Sequence, residues 1–130
     1  MSTSAGTGED PQAVLERARQ RGRDNGQPFA GEVTPEEAWS LLERLPDAEL
    51  VDVRTSAERK FVGHPSRGIH VPWKEYPGME ENERFTAQQR GEAGEPGERV
   101  LVFMCRSGGR SAKGAEAATA VGFTNCFNLL

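Results

Sequence analysis

The sequence predicts an α/β domain with a mostly parallel sheet, and three observations carry that prediction. Short apolar segments rich in β-branched residues, at Leu50–Val53, Ile69–Val71, Val100–Met104 and Cys126–Leu130, alternate with segments of helical periodicity. The strongest of them, Val100–Met104, is apolar on both faces, as in the middle of a parallel sheet covered on both sides. The chain of 130 residues amounts to one domain. Folding at that size buries roughly two-thirds of the unfolded chain's surface, enough for a real core.

In chain order, residues 1–9 are small and polar and read as a disordered tail. Asp10-Pro11 reads as a helix cap followed by proline at the first helical position, with Gly22 as the stop. Val14, Leu15 and Ala18 give that helix only a thin apolar stripe, so it is expected to lie on the domain as an appendage. Arg23–Pro28 is a turn-rich linker, which makes residues 1–30 a tail, helical extension and linker and residues 31–130 the domain. Thr34 and Glu37 have the spacing of a capping box, and Ala38, Leu41, Leu42 and Leu45 follow at i, i+3, i+4 and i+7 until Pro46. Thr55 and Glu58 repeat that spacing before a short helix near Phe61. Gly63–Gly68 is a loop, and Tyr76–Gly97 is irregular apart from a helix near Asn82–Gln89. An alanine-rich helix spans Ser111–Ala120, with Gly122 as its stop.

Composition and charge exclude several classes of function. Hydrophobic residues make up 35% and charged ones 28%, as in a water-soluble domain. The longest apolar run, Val100–Cys105, is far short of the ~20 residues that span a bilayer. Met1–Pro11 has no signal-peptide pattern, which with only two cysteines points to the reducing cytoplasm. The net charge of −4 offers no footprint for nucleic acid. Arg99, Arg106, Arg110 and Lys113 nevertheless form a basic island against the single acid Glu116, inside an otherwise acidic chain. Such an island suits a small anionic ligand.

The island coincides with the most unusual segment of the chain, Cys105-Arg106-Ser107-Gly108-Gly109-Arg110-Ser111. A cysteine just past the carboxyl end of a central strand stands where open α/β sheets bind ligands. The glycines let successive N–H groups turn inward as an anion-binding nest, and the following helix adds positive charge at its N-terminus. Arg106 and Arg110 add formal charge. Such settings lower a cysteine pKa from ~8.5 to about 3.5–7.5, giving a nucleophile at neutral pH. No Gly-Lys-Ser/Thr follows, which excludes a Walker loop. Two cysteines and two histidines without paired spacing argue against metal binding, and His64 and His70 read as turn or packing residues.

Leu50-Val51-Asp52-Val53-Arg54, then Glu58, Gly63-His64, Gly68-Ile69-His70-Val71-Pro72 and Cys105–Ser111 together resemble the rhodanese (sulfurtransferase) family of single-domain type, from about Val33 to Leu130. The resemblance implies a five-stranded, mostly parallel sheet flanked by helices on both faces. It also implies that Cys105 takes a sulfane sulfur from a donor such as thiosulfate, becomes a persulfide, and passes the sulfur to cyanide or a thiol. No cofactor is needed beyond that covalent intermediate. Arg106, Ser107, Gly108, Gly109, Arg110 and Ser111 would bind the anion, with Arg110, alone or together with Arg106, holding the sulfite end. Asp52 and Arg54, on one face at a strand's carboxyl end, would support the loop, for instance through an Asp52–Arg106 salt bridge.

Related phosphatases of the cell-division-cycle type, and arsenate reductases like them, use Cys-x5-Arg to surround a tetrahedral oxyanion. The Cys-x4-Arg loop here fits a smaller sulfur atom. A non-enzymatic sulfur carrier or protein-binding module, with an acceptor protein as partner, is the other alternative.

Two-domain rhodaneses that favour thiosulfate place a basic residue near the position of Glu58, and the loop Gly63–Gly68 is one residue longer than the common form. Family members usually continue past the last strand into one more helix. An uncovered sheet face, with low stability or self-association, is therefore expected unless the N-terminal helix or a second subunit covers it. Cys126, at the opposite end of its strand from Cys105, is expected in the core.

Overall fold

Capping chemistry fixes where the first helices begin. In the computed structural model, which describes residues 9–62, 68–75, 80–81, 85–94, 97–105 and 109–130, Asp10 accepts from the Gln12 N–H at 3.1 Å. It opens α1, Pro11–Asp24. Strand β1, Gly31–Val33, leads to Thr34, whose hydroxyl accepts from the Glu37 N–H at 3.2 Å while Glu37 accepts from the Thr34 N–H at 2.9 Å. That box starts α2, Pro35–Arg44. After β2, Glu49–Asp52, the same device at Thr55 and Glu58 starts α3, Ser56–Val62.

The remaining elements are β3 (Ile69–His70), β4 (Lys74–Glu75), β5 (Glu80–Glu81), α4 (Phe85–Ala93), β6 (Val100–Met104), α5 (Gly109–Ala120) and β7 (Asn125–Leu129). Five strands form one sheet in the order β1-β7-β6-β2-β3, every pairing parallel. The expected α/β architecture is therefore present, with a wholly parallel main sheet.

Residues along β6 divide the core by parity. Val100 and Val102 belong to a cluster with α1 and α2 residues, whereas Leu101 and Phe103 belong to one with Phe85 of α4 and Ala115 and Ala118 of α5. Phe103, Phe123 and Phe127 are wholly buried, each worth roughly 1.5–3 kcal/mol of transfer free energy. The apolar-both-faces character of Val100–Met104 is the direct signature of this two-sided cover.

Helix α1 is part of the core rather than an appendage. Val14, Leu15 and Ala18 are buried in one cluster with Val33 and Phe127. A thin stripe suffices because two glycines allow close approach: a Cβ on Gly31 would lie 2.4 Å from the Ala18 carbonyl oxygen, and one on Gly22 2.7 Å from the Gly31 Cα. Gly22 thus serves contact instead of ending the helix, which continues to Asp24. Glu37 joins α1 to α2 by accepting from Arg17 Nε at 2.7 Å and Arg21 Nη1 at 2.8 Å. Burial works against its charge, yet the two arginines and the Thr34 N–H hold its carboxyl at about 2. Helix α1 supplies the cover over β1 and β7 that the sequence left open.

Other expectations shift in detail. Strand β1, only three residues long, carried no signal of its own. The helix expected near Asn82–Gln89 runs from Phe85 to Ala93, and the stretch counted as irregular includes β5, which pairs antiparallel with β4 just ahead of it. The Gly63–Gly68 loop lies outside the described residues except for Gly68. Among the described residues no helix is long and apolar enough to cross a membrane.

Candidate functional site

The carboxyl ends of three neighbouring strands meet at one edge of the sheet. Asp52 of β2 is in register with Met104 of β6 on one side and His70 of β3 on the other. Cys105 follows β6 directly, so the sheet delivers a half-buried sulfur to this edge. Of the predicted site residues, Arg106, Ser107 and Gly108 lie outside the described residues. Helix α5 begins at Gly109, two residues earlier than the sequence suggested.

The first turn of α5 reaches back to the sulfur. Ser111 donates its N–H to Cys105 Sγ at 3.3 Å, and the Cys105 thiol donates to Ser111 Oγ, also at 3.3 Å. Ser111 is wholly buried, and its hydroxyl donates to Oδ1 of Asn128 at 2.5 Å. An oriented amide and the positive end of a 12-residue helix both favour negative charge on the sulfur.

Arg110 is engaged rather than held in reserve for an anion. Its Nη1 and Nη2 donate to the two carboxylate oxygens of Glu58 at 2.6 and 2.7 Å. The Arg110 guanidinium holds the Glu58 carboxyl at about 2, against the opposing effect of burial, with help from the Thr55 N–H and hydroxyl. Glu58 therefore does two jobs, completing the cap of α3 and matching the charge of the loop arginine.

Asp52 and Arg54 meet each other. Arg54 donates from Nε to Oδ1 at 3.0 Å and from Nη2 to Oδ2 at 2.9 Å, and its backbone N–H also reaches Oδ1. Arg59 Nε lies 3.1 Å from Oδ2 without hydrogen-bond alignment. The described ion-pair partners of Asp52 are thus Arg54 and Arg59; the expected pairing with Arg106 falls outside the described residues. His70 Nε2 bonds the Arg54 carbonyl oxygen at 2.7 Å, tying β3 to the same cluster.

Two participants escaped sequence reading. Asn128 is a polar residue in an otherwise apolar strand segment, a usable signal, but only the fold reveals that it faces Ser111. Glu58 was legible as a cap residue, not as the partner of an arginine 52 positions away. Cys126 is buried in the core as expected, and burial pushes its thiol up to about 11. Both cysteines are free. Among the described residues no three His, Cys, Asp or Glu side chains gather where a metal ion would sit.

Fold and site together define a parallel α/β protein with a cysteine set at the carboxyl end of its central strand. The chain belongs to the rhodanese-like family: the model of the rhodanese-like domain matches residues 34–130. An uncharacterized protein of Rickettsia conorii is 32% identical over 97 residues, covering 71% of this chain and 74% of that one. Its counterpart in Rickettsia prowazekii is 33% identical over 95 residues with the same coverage. The crystal structure of Rv0390 from M. tuberculosis superposes with a TM-score of 0.62 at 34% identity, over 78% of each chain. The solution structure of a 30 kDa polysulfide-sulfur transferase homodimer from Wolinella succinogenes has a TM-score of 0.58 at 22% identity. It covers 91% of this chain and 74% of that one, a likeness of fold alone.

Proposed function

We propose that this protein is a sulfurtransferase working through a persulfide on Cys105. The observation that carries the reading is the Ser111 N–H aimed at Cys105 Sγ from the first turn of α5. The thiolate attacks the outer sulfur of a donor such as thiosulfate; the S–S bond of the donor breaks and sulfite leaves with the bonding pair. The terminal sulfur of the resulting persulfide carries the negative charge, which the Ser111 amide and the N-terminus of α5 stabilise. Cyanide or a thiolate then attacks that terminal sulfur, and the Cys105 thiolate is regenerated. The sulfur rides on the cysteine, so the cycle needs no cofactor, and two free thiols suit a reducing cytoplasm.

The Glu58–Arg110 pair bears on the choice of donor. A dianion such as thiosulfate must compete with a bidentate carboxylate for the arginine. That favours a second reading, a sulfur carrier loaded by a persulfide donor and discharged to an acceptor protein. Incubation with thiosulfate, followed by intact-mass measurement of the protein and of Cys105→Ala, separates the cases. Gain of one sulfur atom by the unsubstituted protein alone, with thiocyanate formed on adding cyanide, supports the enzyme. Gain without turnover supports the carrier. If neither thiosulfate nor an organic persulfide loads Cys105, the proposal fails.

A further inference from the structure

Asn128 is the one polar side chain that β7 sends to the α5 side of the sheet beside Cys126, and it is nearly buried. It stands in register with Phe103, two residues before Cys105 on the neighbouring strand. A buried amide there must be satisfied, and it bonds the Ser111 hydroxyl at 2.5 Å. That hydroxyl in turn meets Cys105 Sγ at 3.3 Å. The three side chains form one file, sulfur to hydroxyl to amide, drawn from the residue after β6, from α5 and from β7.

We infer that Asn128 is a positioning residue for the sulfur chemistry, acting on Cys105 only through the Ser111 hydroxyl. Ser111 has a single hydroxyl proton. With Cys105 as a thiol, the file runs from S–H to Oγ and from O–H to the Asn128 carbonyl oxygen. With Cys105 ionised the sulfur donates nothing, so the Ser111 proton turns toward it. The amide of Asn128, which carries both an acceptor and donors, then turns its N–H toward Oγ. A donor feeding Oγ strengthens the O–H that Oγ gives to the sulfur. Hydrogen bonds to an ionised group are roughly twice as strong as neutral ones, so the file stabilises thiolate more than thiol. The same holds for the anionic terminal sulfur of a persulfide.

The inference rests on the reading of Cys105 as an ionised nucleophile, and one experiment keeps the two separable. The rate of Cys105 alkylation by iodoacetamide is followed against pH by peptide mass in four proteins: unsubstituted, Asn128→Leu, Ser111→Ala and the double variant. Cys126 does not interfere, being buried with its thiol pushed up to about 11. Asn128→Leu is expected to raise the midpoint by roughly half to one pH unit, a three- to tenfold slower reaction below the midpoint. In the Ser111→Ala background the same change is expected to move nothing. Asn128→Ala repeats the measurement should the leucine disturb folding, which urea unfolding of each variant checks. An unchanged midpoint, or an equal shift with and without the serine hydroxyl, overturns the inference. A midpoint near 8.5 in the unsubstituted protein removes the sulfurtransferase reading instead, leaving the difference between variants to judge Asn128.

Discussion

Cys105 and Cys126 pack on the same side of the same sheet, and almost nothing else about them agrees. Cys126 is in register with Leu101, four residues and roughly 13 Å along β6 from Cys105. Its sulfur is wholly buried, 3.6 Å from the Phe123 carbonyl oxygen and within reach of the Thr119 side chain, and burial outweighs that polar contact in pushing the thiol up to about 11. Cys105 stands past the strand end, half-buried, with an amide and a hydroxyl of Ser111 against its sulfur. Burial alone makes a thiol inert; burial on one side and oriented donors on the other favour its ionised form. The difference lies in strand position, not in residue type.

The largest effect expected is on turnover. Cys105→Ala removes the attacking atom, so sulfur gain and thiocyanate formation should fall by a factor on the order of 10³ or more. Cys126→Ala should leave both within about twofold and destabilise by about 1 kcal/mol in urea unfolding. Comparable losses in the two variants would erase the distinction between the cysteines.

Acid should act next. Glu58 at the Cys105 edge and Glu37 on the opposite side of the sheet are both held at about 2 against an ordinary 4.5. A carboxyl whose folded pKa is depressed stabilises fully above its unfolded value, and the contribution disappears as pH falls through the folded one. Stability should therefore drop between about pH 4.5 and 2, by on the order of 2 kcal/mol or more. Glu37→Gln and Glu58→Gln should each flatten that slope in unfolding measured across pH. A slope identical to that of the unsubstituted protein would show these pairs to be inconsequential.

Gly31→Ala separates fold from site. The new methyl would meet the Ala18 carbonyl oxygen, so α1 must shift, at a loss of about 1–3 kcal/mol. Thermal unfolding should record it, while the pH profile of Cys105 alkylation in the folded protein stays put. The smallest expected change concerns donor choice: Glu58→Gln weakens the hold on Arg110, and kcat/KM for thiosulfate should rise about three- to tenfold. A fall in that ratio would mean that Glu58 serves by positioning Arg110 rather than by occupying it.

Much of the fold was legible where pattern and length agree. Val100–Met104 declares its two-sided burial in every residue, and the two capping boxes mark where α2 and α3 begin. Cys105 through Ser111 stood out as a candidate site because glycine, arginine and cysteine rarely gather without chemistry, and of that segment the Cys105–Ser111 contact is the part the described residues display. The misses have a common cause. Strand β1 is three residues whose place is set by pairing with β7, and the role of α1 depends on a glycine-to-glycine approach 9 residues apart in sequence. Asn128 and Arg110 take their meaning from partners 17 and 52 positions distant. Local pattern carries no record of such encounters.

The alternation along β6 has a consequence for the evolution of reactivity. Odd-numbered residues there look toward α4 and α5, even-numbered ones toward α1 and α2. A slip of one residue against β2 and β7 would present the sulfur to the wrong half of the molecule, away from the helix that addresses it. Hydrophobic side chains deep in the domain thereby act as a key for the chemistry at its rim: whatever locks the pleat also aims the thiol.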